Sequence, residues 1–233
     1  MKSATLDVIS GLNPEDEAPP EKKISLQKDA QLEELIRIFS EYPFDEIPGG
    51  SDISYRMFSY APEKIAAAYI TRLALAVRPA DGFSARTLGA YLSALIHKSS
   101  DTHHTLHLEA QTYPLDRIGV KLPRGMQVTV RGNVGYLFGH ENEGELLLFG
   151  SAGNFAACIN KGTVTIYGNA GHDLGWCNEG TVYVHGSSGV DLGFENKGMI
   201  RVDGNITKLN SFPGVGKIYH NGVLIVENGR RLR

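Results

Sequence analysis

The densest set of chemically capable side chains in this chain is Ser99-Ser100-Asp101-Thr102-His103-His104, with His97 and His107 close on either side. Imidazoles with a nearby carboxylate suit two kinds of chemistry. One is a metal centre, which needs several imidazole nitrogens converging in a fixed geometry. The other is a Ser/His/Asp hydrolase, which needs nucleophile, base and orienting acid in hydrogen-bond sequence. If the segment from His103 is extended, His103 and His107 share one face and His104 points the other way. That alternation favours a polar loop leading into a first strand over a converging site.

Other candidates are weaker. Gly150-Ser151-Ala152-Gly153 and Gly186-Ser187-Ser188-Gly189 lack the G-x-S-x-G spacing of a nucleophile elbow. No lysine-serine ending follows the glycines, and no G-x-G-x-x-G follows a strand pattern, so a phosphate cradle is not expected. His172, Asp173 and Asp191 fall in neighbouring corners and could line a groove. His185 and Asp203 stand 18 apart in one outward column and are placed to pair. For all of these a solvated surface is the simpler reading, and no catalytic, cofactor-binding or metal-ligating residue is assigned. Cys158 and Cys177 are 19 apart, one off the step that governs this region, which predicts opposite faces and two free thiols in a reducing, cytoplasmic setting.

The element that must position these residues is a repeat. Gly132, Gly150, Gly168, Gly186 and Gly204 are each 18 residues apart; so are Asn142, Asn160, Asn178 and Asn196, and Gly144, Gly162, Gly180 and Gly198. A short, uninterrupted period means one unit stacked on itself. Within each unit an apolar pair alternates with polar residues: Leu146/Leu148, Val164/Ile166, Val182/Val184, Ile200/Val202. This is the pattern of a half-buried strand. Eighteen residues suit one coil of a parallel β-solenoid, with like positions about 4.8 Å apart.

The glycines are read as positive-φ corners, and the asparagines as a side-chain ladder from coil to coil. The columns Phe138/Ala156/Leu174/Leu192 and His140/Cys158/Trp176/Phe194/Phe212 are both read as inward. Glu143, Lys161, Glu179 and Lys197 alternate in sign and are expected to pair across coils. The period alone admits a left-handed hexapeptide helix, but the absence of glycine from the Phe138 column favours a right-handed one. Residues 204–222 read as a degenerate last coil, closed by Val223 to Val226.

Ahead of the repeat the periodicity is helical. Leu32, Leu35, Ile36 and Phe39 predict a helix over 27–41, followed by a loop at Pro43, Pro48 and Gly49-Gly50. Pro62 suits the first turn of a second helix, Glu63 to Val77. Ser84 is the expected N-cap of a third, Ala85 to His97. The organisation is therefore a flexible arm at 1–24, a helical region at 25–104 that packs on the first coil, and a β-helix at 105–233. A net charge of −3 argues against a general nucleic-acid binder. The absence of a leader-like or 18-residue apolar run predicts neither secretion nor a membrane span.

The repeat, with Arg86-Thr87-Leu88-Gly89-Ala90-Tyr91-Leu92-Ser93 ahead of it, resembles the GXGXG-repeat domain at the C-terminus of the glutamate synthase large subunit. It is also similar to the formylmethanofuran dehydrogenase subunit built on the same domain. The likeness covers residues 84–206. It implies a right-handed parallel β-helix without catalytic residues or cofactor, which buttresses the catalytic domains of an oxidoreductase. The expected partners are an amidotransferase, flavin or molybdopterin subunit, or further copies of the chain. The alternative is a stand-alone hydrolase or metal-dependent enzyme using His97–His107.

Overall fold

The computed structural model describes residues 29–41 and 53–232, with the backbone alone over 53–55. The expected arm at 1–24 and the loop at Pro43 to Gly50 lie outside the described residues. The chain is mainly β, a parallel β-solenoid preceded by helices. Helices α1 (Ala30–Glu41), α2 (Ile53–Tyr60), α3 (Ala67–Ala76) and α4 (Gly82–His97) come first. The strands are β1 (His103–His107), β2 (Gln127–Arg131), β3 (Glu145–Phe149), β4 (Thr163–Ile166), β5 (Thr181–Val184), β6 (Met199–Val202), β7 (Lys217–His220), β8 (Val223–Glu227) and β9 (Arg230–Arg231). They form one sheet in sequence order. The pairs from β1 to β7 are parallel, and Leu146, Val164, Val182, Ile200 and Ile218 stand in one register column. A second face is a line of single parallel bridges through Leu115, Val134, Ala152, Ala170, Ser188 and Ile206.

The asparagine ladder is present and buried. Asn142 Nδ2 donates to Asn160 Oδ1, Asn160 to Asn178 and Asn178 to Asn196, each at 2.8 Å. Each of the first three amides also closes its own corner, accepting from the glycine N–H two residues on. Leu122 takes the equivalent place below, where its carbonyl accepts from Glu143 and Gly144, and Gly214 follows Asn196 by 18.

The repeat glycines divide by cause: Gly132, Gly139, Gly175 and Gly193 hold positive φ as expected, whereas the Gly144, Gly162, Gly180 and Gly198 column does not. A Cβ on Gly162 would stand 2.1 Å from the Gly144 carbonyl oxygen of the coil below. Close approach therefore excludes a side chain there. Most positive-φ positions lie in the segment before the asparagine, and most are not glycine. Leu137, Phe155, Asp173 and Asp191 have φ of 61°, 57°, 56° and 59°, and Glu141, Ile159, Cys177 and Glu195 repeat the left-handed conformation four residues on. Each such L-residue costs about 1–2 kcal/mol. The offset is a second backbone ladder. Leu137, Glu141, Phe155 and Ile159 donate to the coil above, whereas Gly139 and Ala157 donate to the coil below.

The column His140/Cys158/Trp176/Phe194/Phe212 is not inward as expected: only Cys158 is buried, and Phe212 is 69 % exposed. The left-handed segment turns this column to the outside, leaving Phe138, Ala156, Leu174 and Leu192 as its buried neighbours. Of the alternating charge column, Lys197–Glu179 closes at 3.2 Å among the described residues.

The helices differ in bounds from the expected ones. The second expected helix, Glu63 to Val77, is shortened, because Lys64 sits at φ 59° and α3 begins only at Ala67; α2, ahead of Pro62, was not expected. The N-cap of α4 is Asp81, not Ser84; Ser84 is the reciprocal partner in a capping box, its N–H donating to Asp81 Oδ1 at 2.8 Å. The first strand starts at His103, two residues before the expected Thr105.

Helix α4 replaces the missing coil below the first one. Arg86 pairs with Asp116 at 3.3 Å. A Cβ on Gly89 would fall 1.8 Å from the Asp116 carbonyl oxygen, so only glycine admits this contact. Ser93 Oγ accepts from Gly119 N at 2.9 Å and donates to the Arg117 carbonyl at 2.7 Å. His97 Nδ1 donates to the Lys121 carbonyl at 2.9 Å. These positions share one helical face. Helix α3 covers the edge of β1, where Thr71 Oγ1 donates to the Thr105 carbonyl. Helices and coils share one continuous apolar core. At the other end the chain reverses: β8 and β9 are antiparallel, which closes the stack. Among the described residues no helix is long and apolar enough to cross a membrane.

The ladder gives a direct test. Asn160→Ala removes one hydrogen bond each from the Asn142 amide, the Asn178 acceptor and the Gly162 N–H in a buried corner, and is expected to cost about 3 kcal/mol. Glu143→Ala, on the exposed column beside it, is expected to stay within about 0.5 kcal/mol. Urea unfolding of both variants measures the difference, and equal midpoints would remove the ladder from the account of stability.

Candidate functional site

The histidine-rich junction between α4 and β1 is assembled mainly for structure. Asp101 Oδ2 accepts from Ala67 N at 2.7 Å and so caps α3 from a distance. Ser99 Oγ donates to the Ile65 carbonyl at 2.6 Å. Lys98 Nζ donates to the Ala61 carbonyl at 2.8 Å and pairs with Glu63 at 3.0 Å. Strand β1 alternates as expected: His103 and His107 are exposed and His104 is buried. His97 donates to the Lys121 carbonyl and meets the Phe58 ring edge-on at 4.8 Å. The four imidazoles therefore do not converge: His103 and His107 lie on the exposed face of β1, His104 on its buried face, and His97 is held against the first coil. Among the described residues no three His, Cys, Asp or Glu side chains are grouped to hold a metal ion.

His104 is the perturbed member. Its Nε2 donates to the Asp101 carbonyl at 2.9 Å, and its buried Nδ1 has no partner. Burial, the largest influence, holds its pKa below the ordinary histidine value. A proton on Nδ1 would be a charge in an apolar interior, so this imidazole is neutral in the folded state.

Two open clefts of about 310 and 330 Å³ lie at the same end, separated by Glu143. His103, Gln127 and Glu145 line the first; His97, Lys121, Arg124 and Glu141 line the second. They exist because the first coil is longer than the rest. His103 pairs with Gln127, 24 residues on, where later partners are 18 apart. Part of the extra length is the turn Pro123–Met126, closed by Met126 N donating to the Pro123 carbonyl. Glu141 sits 3.0 Å from His140 Nε2 and 3.7 Å from Lys121 Nζ. Neither cleft is lined by a serine, threonine or cysteine; the Thr102 hydroxyl lies 2.9 Å from His103 Nδ1 but outside the lining of the first cleft.

The repeat corners are also committed. Ser151 Oγ accepts from Asn169 N and Ser187 Oγ from Asn205 N, both at 3.0 Å; Asn133 and Asn169 do the same for Ser151 N and Ser187 N. His172 Nδ1 accepts from Val190 N at 3.0 Å. Cys158 and Cys177 are free thiols, and burial pushes Cys158 up to about 12. That makes it a packing residue and not a nucleophile.

The outer faces carry two aromatic lines; the first contains the outward Leu147, Phe149 and Tyr167 that the repeat predicts, and the second was missed. On the sheet, Arg131 stands over the Phe149 ring at 4.9 Å, Phe149 stacks on Tyr167 at 4.6 Å and 8°, and Tyr167 stacks on His185 at 4.9 Å. His185 Nδ1 then meets Asp203 at 3.0 Å, as the column predicted, and Arg201 holds the same carboxylate at 2.9 Å. The second column runs Tyr136–Phe155–Trp176–Phe194, with centroids 5.3, 5.5 and 4.7 Å apart. The 18-residue step signalled the first; the second crosses columns and had no periodic signal.

No family model matches this chain, and no curated protein or solved structure is significantly similar to it.

The burial of His104 has a pH consequence. Its folded pKa is depressed, so below about pH 6.5 the unfolded chain takes up a proton that the folded chain refuses. Stability attributable to this site is intact above that pH and is lost as pH falls from there toward the depressed folded value. Urea unfolding at pH 7 and pH 5 is expected to show a smaller loss for His104→Leu than for the wild-type chain. An unchanged pH dependence would contradict the assignment.

Proposed function

We propose that this chain is a non-catalytic β-solenoid module that docks on a catalytic partner, an oxidoreductase of the glutamate-synthase-like kind its repeat resembles. The observation that carries the reading is the aromatic ridge on the open sheet face. Phe149 and Tyr167 are 39 % and 46 % exposed, yet they stack on each other, Phe149 at the end of β3 and Tyr167 just past β4, where its N–H donates to the Leu148 carbonyl. Rings already fixed before binding lose little conformational freedom on docking, which is what makes aromatic side chains strong anchors. Leu147, half-buried on the same face, extends the apolar strip.

The reading as a stand-alone hydrolase or metal enzyme at His97–His107 has less support, because those side chains diverge. The partner class, an amidotransferase, flavin or molybdopterin subunit, rests on the resemblance of the repeat and of the Arg86–Ser93 helix.

The test is native affinity purification of the tagged chain, with mass spectrometry of what accompanies it, alongside Tyr167→Glu. Recovery of a flavin, molybdopterin or amidotransferase subunit by the wild-type chain, and its loss with Tyr167→Glu, is the expected result. Equal recovery by both would move the interface off this face. Recovery of no such subunit would overturn the docking reading.

A further inference from the structure

The second aromatic column differs from the first in its charge surroundings. Phe155 stands one coil below Asp173 in the same column, and Asp191 one coil above. Trp176 and Phe194 follow these two aspartates by three residues on their own coils. The aromatic line from Phe155 to Trp176 therefore crosses the aspartate column. On the other side, Glu195 follows Phe194 directly and is exposed.

These carboxylates are outside the salt bridges of the structure. Among the described residues Asp173, Asp191 and Glu195 form no ion pair, while Lys197 is taken by Glu179. The nearest cationic groups are His172, beside Asp173, and Lys208, level with Asp191 in the next coil. The two aspartates are stacked in successive coils, and like charges so placed repel. Burial and the neighbouring Asp191 charge raise the Asp173 pKa, and they outweigh the His172 beside it, which lowers it.

We propose that the outer face built on Phe155, Trp176 and Phe194 binds an arginine-rich segment of a partner protein. A guanidinium group meets both features of the face. Its plane stacks on tilted rings as a cation–π partner, and its fork pairs with a carboxylate. A second copy of this face would bring Asp173, Asp191 and Glu195 against themselves, and phosphate-bearing partners would meet the same repulsion. The assignment goes beyond the docking reading above: it concerns another face and names the chemistry of its occupant.

The chain contains one tryptophan, so Trp176 emission reports on this face alone. The whole chain is titrated with a dodecapeptide of alternating arginine and glycine, and separately with one of alternating glutamate and glycine. A saturable change with the first, none with the second, and weakening as salt rises are expected. In D173N/D191N the apparent Kd is expected to rise about tenfold. Asparagine tolerates the left-handed backbone at both positions, and circular dichroism confirms that the double variant is folded.

An equal response to both peptides, no response to either, or an unchanged Kd in D173N/D191N would overturn the proposal. So would an emission change on concentrating the chain alone together with a dimer mass by light scattering, which would give the face to a second copy. A failed titration with oxidoreductase recovery still dependent on Tyr167 removes this assignment and leaves the docking reading standing. A successful titration with no oxidoreductase recovered does the reverse.

Discussion

The whole structure depends on backbones from successive coils meeting without side chains between them at a few fixed columns. At Gly162 the carbonyl below already occupies the space of a Cβ. Once the coils stand that close, the corner amides must bond vertically or be left buried and unsatisfied. The Asn142–Asn196 ladder answers this with one side chain per coil, each serving a neighbour and its own corner. The left-handed residues are a second consequence. They turn the chain back within 18 residues, and their strain is tolerable because the turn presents N–H groups alternately to the coils above and below.

A stack of this kind bonds each coil to the next, so a neighbour is missing at its ends, and the two ends are finished differently. Below the first coil the missing neighbour is a helix. Ser93 and His97 supply the acceptor and donors that a coil would have supplied, and Gly89 lets the helix backbone reach coil-like distance. The Arg86-to-Ser93 segment is thus part of the repeat's hydrogen-bond system although it is helical. Above the last coil, the antiparallel return of β8 and β9 covers the growing edge instead.

How far this was legible in the sequence follows from what each feature repeats. The strands, the inward Val/Ile/Leu pairs and the asparagine ladder recur at one step, so a period reads them directly. The purpose of the glycines did not follow from their spacing, because close approach and positive φ both select glycine. The left-handed positions were hidden because ordinary residues such as Leu137 and Glu141 occupy them. The Trp176 column was placed inside because it is mostly large and apolar, but it lies in a segment whose left-handed backbone turns it outward. The clefts beside Glu143 were invisible for the opposite reason. They come from the irregular Pro123–Met126 turn, the place where the period fails. His104 was placed on the correct face by strand alternation, but its unpartnered Nδ1 depends on packing that no local pattern encodes.

The division of labour within a coil bears on function. Its stability is carried by glycine, asparagine and inward aliphatic columns and by corner side chains that bond to the next coil, which leaves the remaining outward positions without such a duty. Phe149, Tyr167, Phe155 and Trp176 are not needed to close a coil, and Thr165 or Asn154 stand at comparable outward places without aromatic rings. Exposed rings have no hydrophobic reward where they are, beyond the stacking of one on the next. Two aromatic lines on two faces, one flanked by Arg131 and Arg201 and the other by Asp173, Asp191 and Glu195, therefore present different chemistry from one uniform frame. A frame of that kind can hold two dissimilar partners at a set distance, and that is a role which needs no catalytic group of its own.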